Sequence, residues 1–169
     1  AISALAGWPE LRVALGIRVP ARFDQSRKMY GGRELAAACV REMRTMRASA
    51  SPPASLLREE RGGPIVGAVT YDNASRAAFY VPGQPRAFCF FLGTRENQYR
   101  FLNPEAGLRR GGDALIVDHR PHDDPLLAPF HTVFERVEPV PEPVVVHVSG
   151  IYGEPVVTYY LYRCYGYMP

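Results

Sequence analysis

Lysine is almost missing from this chain. Lys28 stands alone among twenty basic residues, so nearly all the positive charge is arginine. The arginines are scattered along the sequence, which favours a coding bias over a demand for bidentate carboxylate or phosphate contacts. A formal net charge of +3 is too small to argue for a nucleic-acid partner. No stretch approaches the roughly 20 uninterrupted apolar residues that a membrane-crossing helix needs. The N-terminal AISALAGWPELRVALGI is broken by Pro9, Glu10 and Arg12 and lacks the basic front of a signal peptide. The three cysteines, Cys39, Cys89 and Cys164, form no C-x-x-C pair, which excludes zinc-ribbon and thioredoxin-like sites. Each lies in an apolar context as a small buried hydrophobe, with a Cys89–Cys164 disulfide left open for an oxidising compartment. Phosphate-loop, dinucleotide-loop, nucleophile-elbow and zinc-protease motifs are also absent. Nucleotide hydrolysis and esterase chemistry are therefore poor fits, and no cofactor is called for.

What is present suits one domain, since 169 residues bury a sizeable core without metal or disulfide staples. A helix is expected from Gly32, where RELAAACVREMRTM sets Leu35, Ala38, Cys39, Glu42 and Met46 near one face and Arg33, Arg41 and Arg44 elsewhere. Residues 48–63, ASASPPASLLREERGG, read as an exposed, flexible connector. PIVGAVTY (64–71), RAFCFFLG (86–93) and DALIVDHR (113–120) read as buried strands, with a two-turn helix over 74–81 stopped by Pro82-Gly83. Strand, helix and strand in that order predict an α/β domain with a parallel part.

The tail reads differently. FHTVFERVEPV, PVVVHV and PVVTYYLYRCYGY are three β-rich runs, predicted to be antiparallel, with reversals at VEPVPEPVVV and VSGIYGEPVV. In the last run Tyr160, Tyr162 and Cys164 point one way and Tyr159, Leu161, Arg163 and Tyr165 the other. Large side chains on both faces imply a strand covered on both sides or lying at a partner surface. The expected architecture is a three-layer-like α/β domain with a mixed sheet, spanning 32–169 after a lead-in of residues 1–31.

Three polar clusters are candidates for chemistry. DHRPHDD (118–124) offers Asp118, His119 and His122 as weak metal ligands, against the plainer reading of a solvated loop between prolines. TRENQYRF (94–101) offers Arg95, Asn97, Gln98, Tyr99 and Arg100 to hydrogen-bond a sugar or a phosphate, with Tyr99 stacking on an apolar sugar face, against the reading of a self-capped loop. In TYDNAS, Asp72 or Asn73 is the expected helix N-cap. A carboxylate there fills the positive helix end and repels phosphate, so the strand–turn–helix is a hinge more than an anion cradle.

The order of these pieces resembles a family. RFDQSRKMYGGRELAAAC is similar to the Asp…Tyr-Gly-Trp-x-Glu-Leu segment that follows the last membrane helix in a group of bacterial membrane glycosyltransferases. These belong with the dolichyl-phosphate-mannose protein mannosyltransferase and aminoarabinose-transferase superfamily, of the GT-C type. GAVTYDNASRAAFYVPGQP resembles that group's strand–Asp–helix–Tyr-x-Pro-Gly unit, RENQYRF its Arg-x-Asn-Gln-Tyr motif, and GGDALIVDH its following strand. The likeness runs in order over roughly residues 20–165, and Gly32 departs from it where the pattern has tryptophan.

The resemblance implies the extracytoplasmic soluble domain of an enzyme that takes a sugar from a polyprenyl-phosphate carrier. That family's essential acidic residue lies in a membrane-proximal loop, so no catalytic residue carries over to this chain. A start at Ala1 instead of Met fits a piece of a longer protein. The implied partners are the membrane-embedded part of the same polypeptide and a lipid-linked sugar or glycan acceptor. Two other readings stand beside it: a protein-interaction module docking through the tyrosine-rich tail, and a small enzyme using the 118–124 loop.

Overall fold

The computed structural model describes residues 11, 14–16, 30–49, 63–90, 108–123, 125–148 and 154–168. The helix expected from Gly32 is α1 (Gly32–Ala48), and its buried side is the expected one, with Leu35, Ala38, Cys39, Glu42 and Met46 turned inward. Gly31 caps it at φ 84°, and a Cβ there would meet Val157, Val146 and Tyr159 within about 3.1 Å. That left-handed turn with no room for a side chain is a position only glycine fills without strain. A Cβ on Gly32 would fall inside the Tyr80 ring. Tyr80 thus occupies the ground a larger residue at 32 would take.

Strand β1 (Ile65–Ala68) feeds α2 (Tyr71–Tyr80), which returns to β2 (Phe88–Cys89), parallel to β1. Strand β3 (Ala114–Asp118) runs parallel to β1 on its other side, Ile65 facing Ala114 through Ala68 facing Val117. After a 3-10 turn at Pro125–Leu127 and the one-turn α3 (Phe130–Val133) come β4 (Phe134–Pro139), β5 (Val144–Val146) and β6 (Val157–Tyr167). The sheet order is β2-β1-β3-β6-β4, with β5 also on β6, so the mixed α/β architecture is the one the sequence predicts.

One reversal is not where it was expected. Strands β4 and β5 both pair with β6 antiparallel, Pro139 facing Tyr162 and Val144 facing Tyr159. VEPVPEPVVV therefore does not turn back. Pro141-Glu142-Pro143 bulges out of a single line along one edge of β6, because proline donates no ladder hydrogen bond and belongs at bulges. The second expected reversal, between β5 and β6, is present: Val156 N donates to Val146 O at 2.8 Å. The start of FHTVFERVEPV is also helical, as α3, before the strand begins.

The core lies on both faces of the sheet. Helices α1 and α2 cover one face with Leu35, Cys39, Ala74 and Ala77 against Val66, Val117, Tyr159 and Leu161. On the other, Leu127, Phe130 and Phe134 pack with Phe90, Ile116, Tyr162 and Cys164. β6 alternates as predicted and sits inside the sheet, with Tyr159, Tyr162 and Tyr165 buried. Of the two settings open to this strand, coverage on both sides is the observed one. Cys89 and Cys164 lie on opposite faces with two strands between them, and all three cysteines are free. The disulfide left open is thereby excluded by geometry. Among the described residues no helix is long and apolar enough to cross a membrane. The connector lies outside the described residues from 50 to 62; its first residue, Ala48, still belongs to α1.

Candidate functional site

At the carboxyl ends of β1 and β3 the chain leaves the sheet in opposite senses, and a cleft opens between α2 and the start of β6. Its volume is about 420 Å³, and Asp72, Arg76, His119, Val156, Val157, Thr158 and Tyr160 line it. The location is the one where parallel sheets place ligands, outside the strand ends. Its size falls within the range of small-molecule sites.

The local folding explains each side chain. α2 begins at Tyr71, earlier than expected, and Thr70 is its N-cap without a side-chain cap bond. Asp72 and Asn73 are therefore first-turn residues and not the cap, which corrects the expectation. β1 ends at Ala68, two residues before Thr70, so the helix starts one register sooner. Asp72 then faces the cleft, and Arg76, one turn on, shares its side. Arg76 Nη1 donates to Tyr159 Oη at 2.5 Å and to the Tyr30 carbonyl at 3.2 Å. Burial pushes the Tyr159 phenol up despite that guanidinium.

His119 follows β3 directly. Its Nδ1 lies 3.4 Å from the Thr158 carbonyl, its ring leans on Tyr159 at 5.2 Å, and its Nε2 faces Asp72 Oδ2 at 3.9 Å. The facing His119 ring holds the Asp72 carboxyl well below the usual carboxylate range, outweighing the opposite pull of burial. The cleft thus joins an ionised acceptor, a fixed guanidinium, an imidazole and the Tyr160 ring within one small concave surface.

The remaining predicted residues fall elsewhere. Asn73 is fully buried between α2 and the sheet, and among the described residues neither its Oδ1 nor its Nδ2 has a hydrogen-bond partner. Asp118 is buried and spent on structure: Oδ1 accepts from His119 N at 2.6 Å, while Arg120 Nε and Nη2 hold Oδ2 at 2.9 and 2.8 Å. His122 stands edge-on to Tyr160 and Tyr162 with Nε2 3.0 Å from the Val140 carbonyl. His119 and His122 thus turn to different surroundings. Among the described residues no group of three His, Cys, Asp or Glu converges. Arg95, Asn97, Gln98 and Tyr99 lie outside the described residues.

The structure brings together Asp72 and His119, which the sequence placed in separate motifs. It adds Arg76, Thr158 and Tyr160, which sequence reasoning missed. The signal for Arg76 was legible, four residues after Asp72 and so on the same helical side. Thr158 and Tyr160 required the strand order. No family model, curated protein or solved structure matches this chain.

Proposed function

We propose that this chain is the accessory extracytoplasmic domain of a polyprenyl-phosphate-sugar-dependent membrane glycosyltransferase, and that its cleft receives a sugar of the lipid-linked donor or of the glycan acceptor. It positions the sugar and does not perform the transfer. The family pattern in the sequence motivates the class, and the lining of the cleft carries the reading. Asp72 accepts hydrogen bonds, Arg76 and His119 bring donor groups, and the Tyr160 ring offers an apolar surface. Sugars present hydroxyls around a rim and C–H groups on a face, and this mixture of polar groups beside an aromatic ring is suited to both. In the whole enzyme the domain works with the membrane-embedded part of the same polypeptide.

The test is an amide NMR titration of the chain with methyl glycosides and with a short-chain polyprenyl-phosphate sugar. Shifts clustered at Asp72, Arg76, His119, Thr158 and Tyr160, abolished by Tyr160→Ala, are expected. Silence of those signals at millimolar concentrations of every ligand would remove the cleft from this reading.

A further inference from the structure

The outer face of the helical layer carries a feature that the cleft does not use. Arg33, Arg44 and Arg47 are exposed on α1, at spacings of eleven and three residues that bring them back to one side of the helix. That side is opposite the one bearing Leu35, Cys39, Glu42 and Met46, with the Arg47 guanidinium lying alongside Gly63. Arg41 flanks it, 60% exposed in its side chain and tethered to Glu42 Oε1. Among the described residues Arg33, Arg44 and Arg47 have no acidic partner. Glu34 is the one exposed acid on α1, and the charge of Glu42 is already met by Arg163 and Arg41.

Helix α2 packs beside α1 on the same face of the sheet. Its solvent side, opposite its buried Ala74 and Ala77, presents Phe79 at 66% exposure. Phe79 is the most exposed large apolar side chain among the described residues. The outer side of the helical layer thus combines a row of arginines with one projecting aromatic ring.

We infer that this surface docks on an anionic phospholipid membrane, the arginines of α1 meeting headgroup phosphates and the Phe79 ring of α2 entering the interfacial layer. Charge complementarity selects this occupant. Arginine's planar fork matches phosphate oxygens, and guanidinium groups near an anionic leaflet each add attraction that salt weakens. An exposed phenylalanine beside them matches the boundary between headgroup and chain, where apolar area is buried only shallowly. A soluble acidic protein would use the arginines and leave Phe79 in water. The inference holds whether or not the cleft takes a sugar.

Vesicle flotation decides it. The whole chain is mixed with phosphatidylcholine vesicles with and without one-third phosphatidylglycerol, over a sodium chloride series. Binding to the anionic vesicles alone, falling steeply as salt rises, is expected. The Arg33→Gln/Arg44→Gln/Arg47→Gln variant loses about a hundredfold in affinity, roughly fivefold for each arginine at an anionic surface. Phe79→Ser weakens binding at low salt without altering the slope with salt. Equal binding to neutral vesicles, binding indifferent to salt, or a triple variant as tight as the parent overturns the proposal. So does full competition by inorganic phosphate at matched ionic strength, which would make the stripe a site for the free ion. The salt series on the unaltered chain keeps the test decisive if the triple variant fails to fold.

Discussion

Arg163 in β6 donates through both Nε and Nη2 to Glu42 Oε2 of α1, at 3.0 and 2.6 Å, while Arg41 Nε holds the other oxygen at 2.8 Å. One carboxylate buried under the first helix thereby fastens it to the strand that organises the sheet. Burial alone would raise the Glu42 pKa, but the hydrogen bonds and charges of Arg163 and Arg41 outweigh it and hold it below the ordinary value.

Glu42→Ala is expected to cost about 3 kcal/mol, the low end for breaking a buried pair, because it strands Arg163. The side chain of Arg163 keeps 22% of its exposure, which softens the loss. Since the folded pKa is depressed, this contribution is complete above the unfolded value of about 4.3 and disappears as pH falls through the folded one. Urea unfolding at several pH values measures it: parent and variant curves should converge in acid. Replacing both partners by Glu42→Leu/Arg163→Met should restore most of the stability.

The contact between His119 and Asp72 gives a second pH signature. The depressed Asp72 pKa means that this aspartate stabilises the fold above the unfolded value of about 3.9 and ceases to do so as acid protonates it. In a carboxyl-carbon NMR titration Asp72 should ionise well below a free aspartate. His119→Ala should move its midpoint upward, because the largest cause of the depression is then gone. An unchanged midpoint would show that the ring across the cleft does not act on Asp72.

Much of this was legible before the structure. The faces of α1 and β6 follow from periodicities of 3.6 and 2, and residues 33–46 and 157–165 keep those periods cleanly. Pairing was less legible. Pro141-Glu142-Pro143 looks the same as a reversal or as a bulge, and only the register on β6 separates the two. The cleft was half legible, since Asp72 and His119 are 47 residues of chain apart but neighbours once β1 and β3 align. The arginines appeared scattered because spacings of eleven and three residues look irregular along a line. They gather on one side only when the chain is wound into a helix.

Asn73 is the least comfortable residue in the interface between α2 and the sheet, fully buried with both amide atoms unpartnered. Desolvating an amide without new hydrogen bonds costs free energy that a shape-matched apolar side chain avoids. Asn73→Leu should therefore stabilise the domain by about 1 kcal/mol in chemical denaturation. Asn73→Asp should destabilise it, because a charge would be buried without a partner. Destabilisation by leucine would show that the amide meets a hydrogen-bonding group in solution.

The cysteines supply the last prediction. Burial pushes the Cys39 thiol up to about 12, with the Glu42 charge adding to it, and burial raises Cys164 as well. Thiol reagents attack thiolates, so none of these groups should react while the chain is folded. Reaction with a disulfide dye near pH 8 should be slow and should accelerate with urea in step with global unfolding, releasing three thiols. Cys89 and Cys164 face opposite sides of the sheet, so peptide mapping after mild oxidation should find them unlinked. A fast thiol in the native state, or a Cys89–Cys164 peptide, would contradict this packing directly, because the first requires α1, β2 or β6 to leave the core and the second β2 or β6.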